Sequence, residues 1–399
     1  MMTEAKTLVV VGLGYVGLPV AELAARQGWR VRGLEIDQAK IDEVNAADTQ
    51  LKAGSDPAVV AEADFVIVAV PTPVHDTHEP DLGPLTSALA SIAPHLQAGQ
   101  VLSIESTINP GVMDEVVEPL VKDKEVHLVH CPERINPGDD TWTVANIPRV
   151  LGGYSTEGVA LAKEYYESIL DADVRMMNTV TEAEAVKILE NTFRDINIAF
   201  INEMAQSFDK LGIDITNVIA GAATKPFAFM PHYPGNGVGG HCISVDPYYM
   251  IERARQVGFD HRFLKLARDI NNGMPAYAVA TLKEQLEDLG KQPSDISVAL
   301  LGLAYKKNID DIRESPALEI KQLLEETGFK EILVYDPFRK TDSTSGVASV
   351  DDALAKADAI MLATDHDAFV QGLTAEVLQE HNIIAVLDGG NALDKDSVQ

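Results

Sequence analysis

Short, fully apolar runs alternate along the chain with longer segments whose apolar residues recur every three or four positions. Thr7–Val11 is the first such run. It ends at Gly12-Leu13-Gly14-Tyr15-Val16-Gly17, and a helical pattern follows to Gln27. Val31–Leu34, Phe65–Val70, Val101–Glu105 and Val126–His130 repeat the theme, with helical segments between most of them. Short apolar strands separated by helices predict a parallel sheet covered on both faces. Residues 1–180 are therefore expected to form a doubly wound domain.

From Thr181 the texture changes. Apolar residues at helical spacing run from Thr181 to Leu211 without Pro or Gly, predicting one long helix opened by a Thr181/Glu184 capping box. Helical segments continue to about Leu289, broken by the loop Pro231–Gly240, so a central helical domain is expected over 181–290. Gln292-Pro293-Ser294-Asp295 reads as a linker. Beyond it come strands Ser297–Leu303, Glu331–Tyr335, Ala359–Ala363 and Ile383–Leu387, with a helix over Ser315–Glu326. The predicted class is α/β: two Rossmann-like doubly wound domains, the second over 295–399, joined by the helical middle.

Composition is that of a globular protein, 46% hydrophobic and 23% charged over 399 residues. No apolar run approaches the ~20 residues that span a bilayer, and Met1–Lys6 lacks an apolar signal core. A cytoplasmic location is expected. Charge changes the picture more: 32 Lys and Arg face 61 Asp and Glu, a net charge of −29. Such a surface repels nucleic-acid phosphates and anionic membranes. It also suits a salt-rich cytoplasm, where screening relieves self-repulsion. Two cysteines, Cys131 and Cys242, are too few for a disulfide framework and indicate a reducing compartment.

Gly12-x-Gly14-x-x-Gly17 lies between a strand and a helix, the context that gives this pattern meaning. Gly12 permits a tight turn, Gly14 lets backbone approach a pyrophosphate, and Gly17 allows close helix–strand packing. The helix N-terminus favours the anion. Glu35 closes the second strand 23 residues after Gly12, placed to accept from an adenosine ribose and to repel a 2′-phosphate. NAD is expected as cofactor. The second focus is Gly235-Asn236-Gly237-Val238-Gly239-Gly240-His241-Cys242, where glycines leave a thiol accessible to a ligand. Asp246 follows four residues later, and Cys131, with no such setting, reads as structural. Lys187 and Asn191 share a helix face, where a lysine can stabilise an oxyanion and an amide can orient water. No metal is required.

Taken in order, Gly12–Gly17, Pro71-Thr72-Pro73, Glu105-Ser106-Thr107, Pro132-Glu133-Arg134, Lys187–Thr192, Gly239-Gly240-His241-Cys242 and Arg313-Glu314-Ser315-Pro316 resemble the UDP-glucose/GDP-mannose dehydrogenase family over nearly the whole chain. Pro132–Gly138 and Asn191–Asn197 are similar to the branch acting on UDP-N-acetylhexosamines. The resemblance implies oxidation of a sugar C6 alcohol to a carboxylate with two NAD. The expected substrate is UDP-N-acetyl-D-mannosamine, with UDP-N-acetylglucosamine and UDP-glucose as alternatives.

By the same resemblance Cys242 captures the aldehyde as a thiohemiacetal and then carries a thioester. Lys187 stabilises the oxyanion, Asn191 and Asp246 orient the hydroxyl and the hydrolytic water, and Glu133 and Thr107 serve water handling and the cofactor–substrate contact. Tyr15, Val16, Pro71 and Thr72 fall on the cofactor side. Arg134, Arg194, Lys225, Tyr233, Gly237 and Gly239 fall on the substrate side, and Lys306, Lys307 and Arg313 are candidates for the diphosphate. The helical middle resembles the family's dimer core, so a homodimer or higher homo-oligomer is expected. One departure stands out: Asp388-Gly389-Gly390-Asn391 lacks the arginine of the family's Asp-x-Arg pattern. Two other readings compete, a two-electron hydroxyacid or sugar-alcohol dehydrogenase and an NAD-binding regulator or redox sensor. Neither accounts for Cys242 together with the Lys187/Asn191 face and the cations at 306–313.

Overall fold

A computed structural model describes residues 6–47, 49–75, 79–135, 141–240, 243–339 and 347–395. By packing, the chain divides into two compact units. The first comprises Met1–Glu190 and Tyr248–Phe259, the second Asn191–Pro247 and Asp260–Gln399. Among the described residues no helix is long and apolar enough to cross a membrane.

In the first unit, eight strands form one sheet: β1 (Thr7–Val11), β2 (Arg30–Leu34), β3 (Lys52–Gly54), β4 (Phe65–Val68), β5 (Val101–Ile104), β6 (His127–His130), β7 (Arg149–Gly153) and β8 (Val174–Met176). Their order is β3-β2-β1-β4-β5-β6-β7-β8, and every pairing is parallel except β6 with β7. The apolar runs explain the layers. Leu8 and Val10 point into one core, Val9 and Val11 into the other, so each face of β1 is buried. The chain reverses direction of travel across the sheet between β1 and β4, the switch point where doubly wound sheets take ligands. The strands β3, β7 and β8 are absent from the sequence-based expectation, being only three to five residues long and without a run of more than two consecutive Val, Leu, Ile, Met or Ala residues.

The second unit has a four-stranded parallel sheet, β9 (Ser297–Leu301), β10 (Glu331–Tyr335), β11 (Ala359–Leu362) and β12 (Ala385–Asp388), ordered β10-β9-β11-β12. Again Val298 and Leu300 face one core and Ala299 and Leu301 the other. The helix Arg262–Asp288 supplies Ala278, Val279, Leu282 and Leu286 to the first of these cores. Its last turns therefore belong to the sheet's packing as well as to the helical middle. Ser315 caps the helix Pro316–Thr327 by accepting from the Ala317 N–H.

The long helix spans Val180–Leu211, but its cap differs from the expected one. Thr179 Oγ1 accepts the Glu182 N–H at 3.1 Å, and Glu182 accepts from the Asn178 N–H at 2.8 Å. The box therefore sits two residues earlier than Thr181/Glu184. Glu184 is instead fully buried, accepting the N–H groups of Gly111 and Met113, each at 2.8 Å. Tertiary contact overrides the local motif because the two amides supply a buried carboxylate with the donors it would otherwise lack.

Candidate active site

The cofactor half is built on β1, its loop and the helix Gly17–Arg26. Gly12 has φ of +88°, and a Cβ there would lie 2.7 Å from the Ala69 carbonyl oxygen. A Cβ on Gly17 would lie 1.9 Å from the Gly12 carbonyl oxygen, whereas one on Gly14 would meet nothing within 4 Å. The three glycines thus do different work: Gly12 turns, Gly17 packs, and Gly14 keeps a backbone face open. Among the described residues the helix Gly17–Arg26 has neither a side-chain cap nor an acidic residue in its first turn. Its N–H groups suit an anion such as a pyrophosphate. Tyr15 is exposed and Val16 half-buried beside this turn.

Glu35 is more deeply engaged than its place at a strand end implies. One carboxylate oxygen accepts the Leu13 N–H at 2.8 Å, and the other accepts from Ile36 and Asp37 at 2.8 and 3.1 Å. The acid thereby braces the glycine turn. Carboxylate oxygens retain further lone pairs for a ribose hydroxyl. The sequence reading passes over Ile36, whose apolar side chain is 95% exposed next to this acid. Its signal is an isoleucine following a strand-end acid.

Two further loops complete this half. Thr72 donates to the Thr107 carbonyl at 2.7 Å, and Ser106 donates to the Val70 carbonyl at 2.8 Å. Pro71, Thr72 and Thr107 are thereby held on adjoining strand ends, with Glu184 fixing the backbone just beyond Thr107. Tyr249 Oη donates to the Thr72 carbonyl and, at 3.2 Å, to that of Pro73. Glu133 turns back on its own loop, accepting from Arg134 and Ile135 at 2.6 and 2.7 Å, and its other oxygen pairs with the guanidinium of Arg149. Arg134 forks onto Glu190 at 2.5 and 3.2 Å. Lys187 is 8% exposed, and its ammonium has no hydrogen bond or ion pair among the described residues. Cys131 is fully buried, and burial pushes its thiol far above the ordinary range, in line with a structural role.

In the second unit, Asn191 Nδ2 donates to Asp246 at 2.5 Å, and both are buried. Asp246 opens the helix Asp246–Gln256. One turn along the long helix, Asp195 holds Arg268 at 2.6 Å and Asn271 at 2.8 Å, an anchor that the sequence reading did not single out. Arg194 stands exposed on the same helix. In the glycine loop, Gly240 N–H donates to the Arg313 carbonyl at 3.1 Å. A Cβ on Gly239 would meet the Glu314 carbonyl oxygen at 2.6 Å, and Gly237 has φ of +130°. The loop is therefore laid directly on the segment that carries Arg313. Tyr233 is exposed, and the exposed Lys225 places its ammonium 4.8 Å from the ring centre of Phe227. His241 and Cys242 lie outside the described residues.

The cation cluster is less open than its sequence spacing implies. Arg313 forks onto Asp311 at 2.6 to 3.1 Å, and Lys307 lies 3.6 Å from Asp367. Lys306 is half-buried. The loop itself is braced by Asp336, which accepts the Leu303 N–H at 2.7 Å and the Ala304 N–H at 3.1 Å, as Glu35 does for Leu13 in the first unit. His366, fully buried, accepts the Asn308 N–H at 2.8 Å and meets Asp336 at 3.2 Å. These donors lower Asp336 to about 2 against the opposing effect of burial. At Gly390, where the family has its Asp-x-Arg arginine, a Cβ would meet only Asp388 Oδ1, at 3.9 Å, whereas one on the preceding Gly389 would collide with the Asn236 side chain at 1.8 Å. Asn236 in turn bonds the Leu362 and Ala363 carbonyls at 3.2 and 3.3 Å.

A glycine turn at a switch point, a strand-end acid, and a second sheet with its own braced loop define a two-sheet dinucleotide and nucleotide enzyme. Known families agree. Residues 6–170 match the UDP-glucose/GDP-mannose dehydrogenase family NAD binding domain, 181–273 its central domain and 299–395 its UDP binding domain. The chain belongs to this family, and its class is that of NAD-dependent UDP-sugar dehydrogenases with NAD as cofactor. It is 35% identical to the UDP-N-acetyl-D-mannosamine dehydrogenase of Methanocaldococcus jannaschii over 91% of this chain and 86% of that one. The enzyme of that name from Escherichia coli K12 is 34% identical over 91% and 94% of the two chains. A solved UDP-D-ManNAc dehydrogenase from Pyrococcus horikoshii superposes with a TM-score of 0.88 at 33% identity, covering 98% of this chain and 96% of that one. A UDP-glucose dehydrogenase from Pyrobaculum islandicum gives 0.86 at 25% identity, covering 98% of each.

Proposed function

We propose that the protein oxidises the C6 alcohol of UDP-N-acetyl-D-mannosamine to the uronate, a four-electron reaction, in the cytoplasm and as a homodimer. The observation carrying this reading is the helix Val180–Leu211. It presents a buried Lys187 whose ammonium has no partner among the described residues and, one turn on, Asn191 bonded to the buried Asp246. A two-electron relative has no use for such a set. Identity to enzymes named for UDP-N-acetyl-D-mannosamine over most of their length supports the sugar. Exposed Phe193, Phe200, Phe263 and Leu266 on the second unit's helices support self-association.

Gly12, Gly14, Gly17 and Glu35 would hold NAD, which supplies hydride acceptance at each of the two oxidations. In the first, the C6 hydroxyl loses its proton to solvent by way of a water that Asn191 and Asp246 orient, and the Lys187 ammonium stabilises the developing oxyanion. The Cys242 thiol then adds to the aldehyde carbon, giving a thiohemiacetal and keeping the aldehyde from escaping. Its oxidation leaves a thioester. Water, giving up its proton to Glu133, attacks the thioester carbonyl, and the C–S bond breaks to release the carboxylate and restore the thiol. Arg134, Arg194, Lys225, Tyr233, Gly237 and Gly239 would contact the sugar nucleotide. Arg313 and Lys307 would exchange their carboxylate partners for the diphosphate and Lys306 would join them, giving the acidic surface a local cationic seat.

The test is stoichiometry. Incubated separately with UDP-N-acetyl-D-mannosamine, UDP-N-acetylglucosamine and UDP-glucose, the protein is expected to form two NADH per mannosamine derivative consumed. Cys242→Ala is expected to bind both ligands and make no uronate. One NADH per sugar with free aldehyde, or undiminished uronate from Cys242→Ala, refutes the four-electron route. A higher kcat/KM on UDP-glucose moves the substrate.

A further inference from the structure

Behind Glu133 lies a fully buried group that none of these steps uses. Arg149, 1% exposed, stands between two carboxylates: its guanidinium contacts Glu133 on one side and lies 3.7 Å from Glu105 Oε2 on the other. Glu105 Oε1 accepts from Tyr166 Oη at 2.8 Å, and that hydroxyl also meets Ser103 Oγ at 2.9 Å. Glu105 Oε2 has no hydrogen-bond partner among the described residues. Two buried acids therefore share one cation. With both ionised the group would carry a net negative charge in a dry interior, an expensive state.

We propose that Glu105 is a positioning residue for the reaction: through Arg149 it shares one buried cation with Glu133, and its own ionisation sets how firmly that cation holds the Glu133 carboxylate. The inference rests on the reading of Glu133 as the group that handles water. While Glu105 is neutral, Arg149 holds the Glu133 carboxylate alone. When Glu105 ionises, the one cation is divided between two carboxylates and its hold on Glu133 loosens, freeing that group to meet water. The groups facing Glu105 are Arg149 on β7, Glu133 and Cys131 after β6, and Tyr165 and Tyr166 on the helix Thr156–Ile169. Burial raises Glu105 to about 7, outweighing the lowering by Arg149, and Glu133 adds to the rise. The switch thus falls in the neutral range, where the enzyme's water step can use it.

The experiment follows uronate formation against pH. The wild type is expected to gain rate as pH rises through neutrality. Glu105→Gln keeps the acceptor for Tyr166 but cannot ionise, and is expected to lose that limb with KM for NAD and UDP-sugar unchanged. Tyr166→Phe removes the hydrogen bond that favours ionised Glu105, and is expected to move the limb about one unit to higher pH. An infrared titration reads Glu105 without reference to turnover: burial raises Glu184 to about 7 as well, so the wild-type spectrum minus that of Glu105→Gln should contain a buried carboxylic-acid carbonyl band that vanishes across neutrality. An unchanged limb in Glu105→Gln overturns the proposal, as does a difference spectrum without that band. Full turnover in Glu133→Gln would instead sink the assignment of Glu133, while the infrared titration still decides the state of Glu105.

Discussion

Gly17 and Gly14 lie three residues apart in one turn, yet substitution to alanine should fail in opposite ways. At Gly17 the new methyl would stand 1.9 Å from the Gly12 carbonyl oxygen and 3.1 Å from Val10 Cγ1. Both obstacles belong to the strand–turn core, so the helix Gly17–Arg26 must retreat by about 1.5 Å to reach ordinary contact. Overpacking of this kind costs about 1–3 kcal/mol. For a unit of this size that lowers Tm by about 2–10 °C. The retreat also carries the helix N-terminus away from the pyrophosphate, and a misplacement of about 1 Å can cost about 100-fold in rate. At Gly14 the methyl meets nothing within 4 Å, so Tm should stay within the ~0.5 kcal/mol scatter of surface changes. If backbone there must approach the cofactor, the NAD Kd should nevertheless rise at least about tenfold, or ~1.4 kcal/mol. Differential scanning fluorimetry and NAD titration of both variants make the comparison. A Gly14→Ala protein that binds NAD normally would refute the assignment of this turn, and a Gly17→Ala protein of undiminished Tm would refute the packing argument.

Glu35→Ser should narrow the preference for NAD over NADP and also weaken NAD itself, because the Leu13 N–H loses its acceptor; equal kcat/KM for both cofactors in the wild type would count against the ribose role. Arg313→Ala should raise the UDP-sugar KM roughly ten- to a hundred-fold and leave that for NAD alone, as loss of a charge-assisted contact of ~1.5–3 kcal/mol requires. An unaltered KM would place the diphosphate elsewhere. Asp336 is held below its ordinary value, so its contribution is present at neutral pH and is lost as pH falls from about 4 towards about 2. Asp336→Asn should accordingly be less stable than wild type at pH 7, with the gap closing towards pH 2; a gap independent of pH would mean the charge is immaterial. Because the net charge is −29 and most ion pairs are exposed, Tm should rise as KCl is raised to molar levels, and a flat response would remove the salt-adapted reading.

The legible parts of this protein are those whose cause is local. Val9 and Val10 face opposite cores because successive residues of a strand must do so, and a run of such residues announces a sheet buried on both sides. The strands β1, β4, β5, β9 and β10 stand within a residue or two of where their apolar runs place them. Gly12, Gly14 and Gly17 could be given separate roles from spacing alone, since a tight turn into a helix admits few backbone paths. Even the long helix was written in its periodicity, though its cap was not. Thr181/Glu184 and Thr179/Glu182 are both plausible boxes in sequence, and only the buried amides of Gly111 and Met113 decide between them.

Where the partner is distant in sequence, the residue types tell little. Glu105 and Tyr166 are 61 positions apart and Asn191 and Asp246 are 55, and nothing near either residue names the other. Register brings Arg149, at the start of a strand antiparallel to β6, between two acids that the sequence presents as unrelated motif members. The same holds for charge: Lys306, Lys307 and Arg313 read as a free cationic patch, but folding brings Asp367 to Lys307, and turns the side chain of Asp311 onto Arg313. Sequence settles which faces are apolar, because burial follows from the period of the pattern. Tertiary structure settles which polar groups meet and which protonation state they hold, because Coulomb and desolvation energies depend on distances that only the packed chain defines.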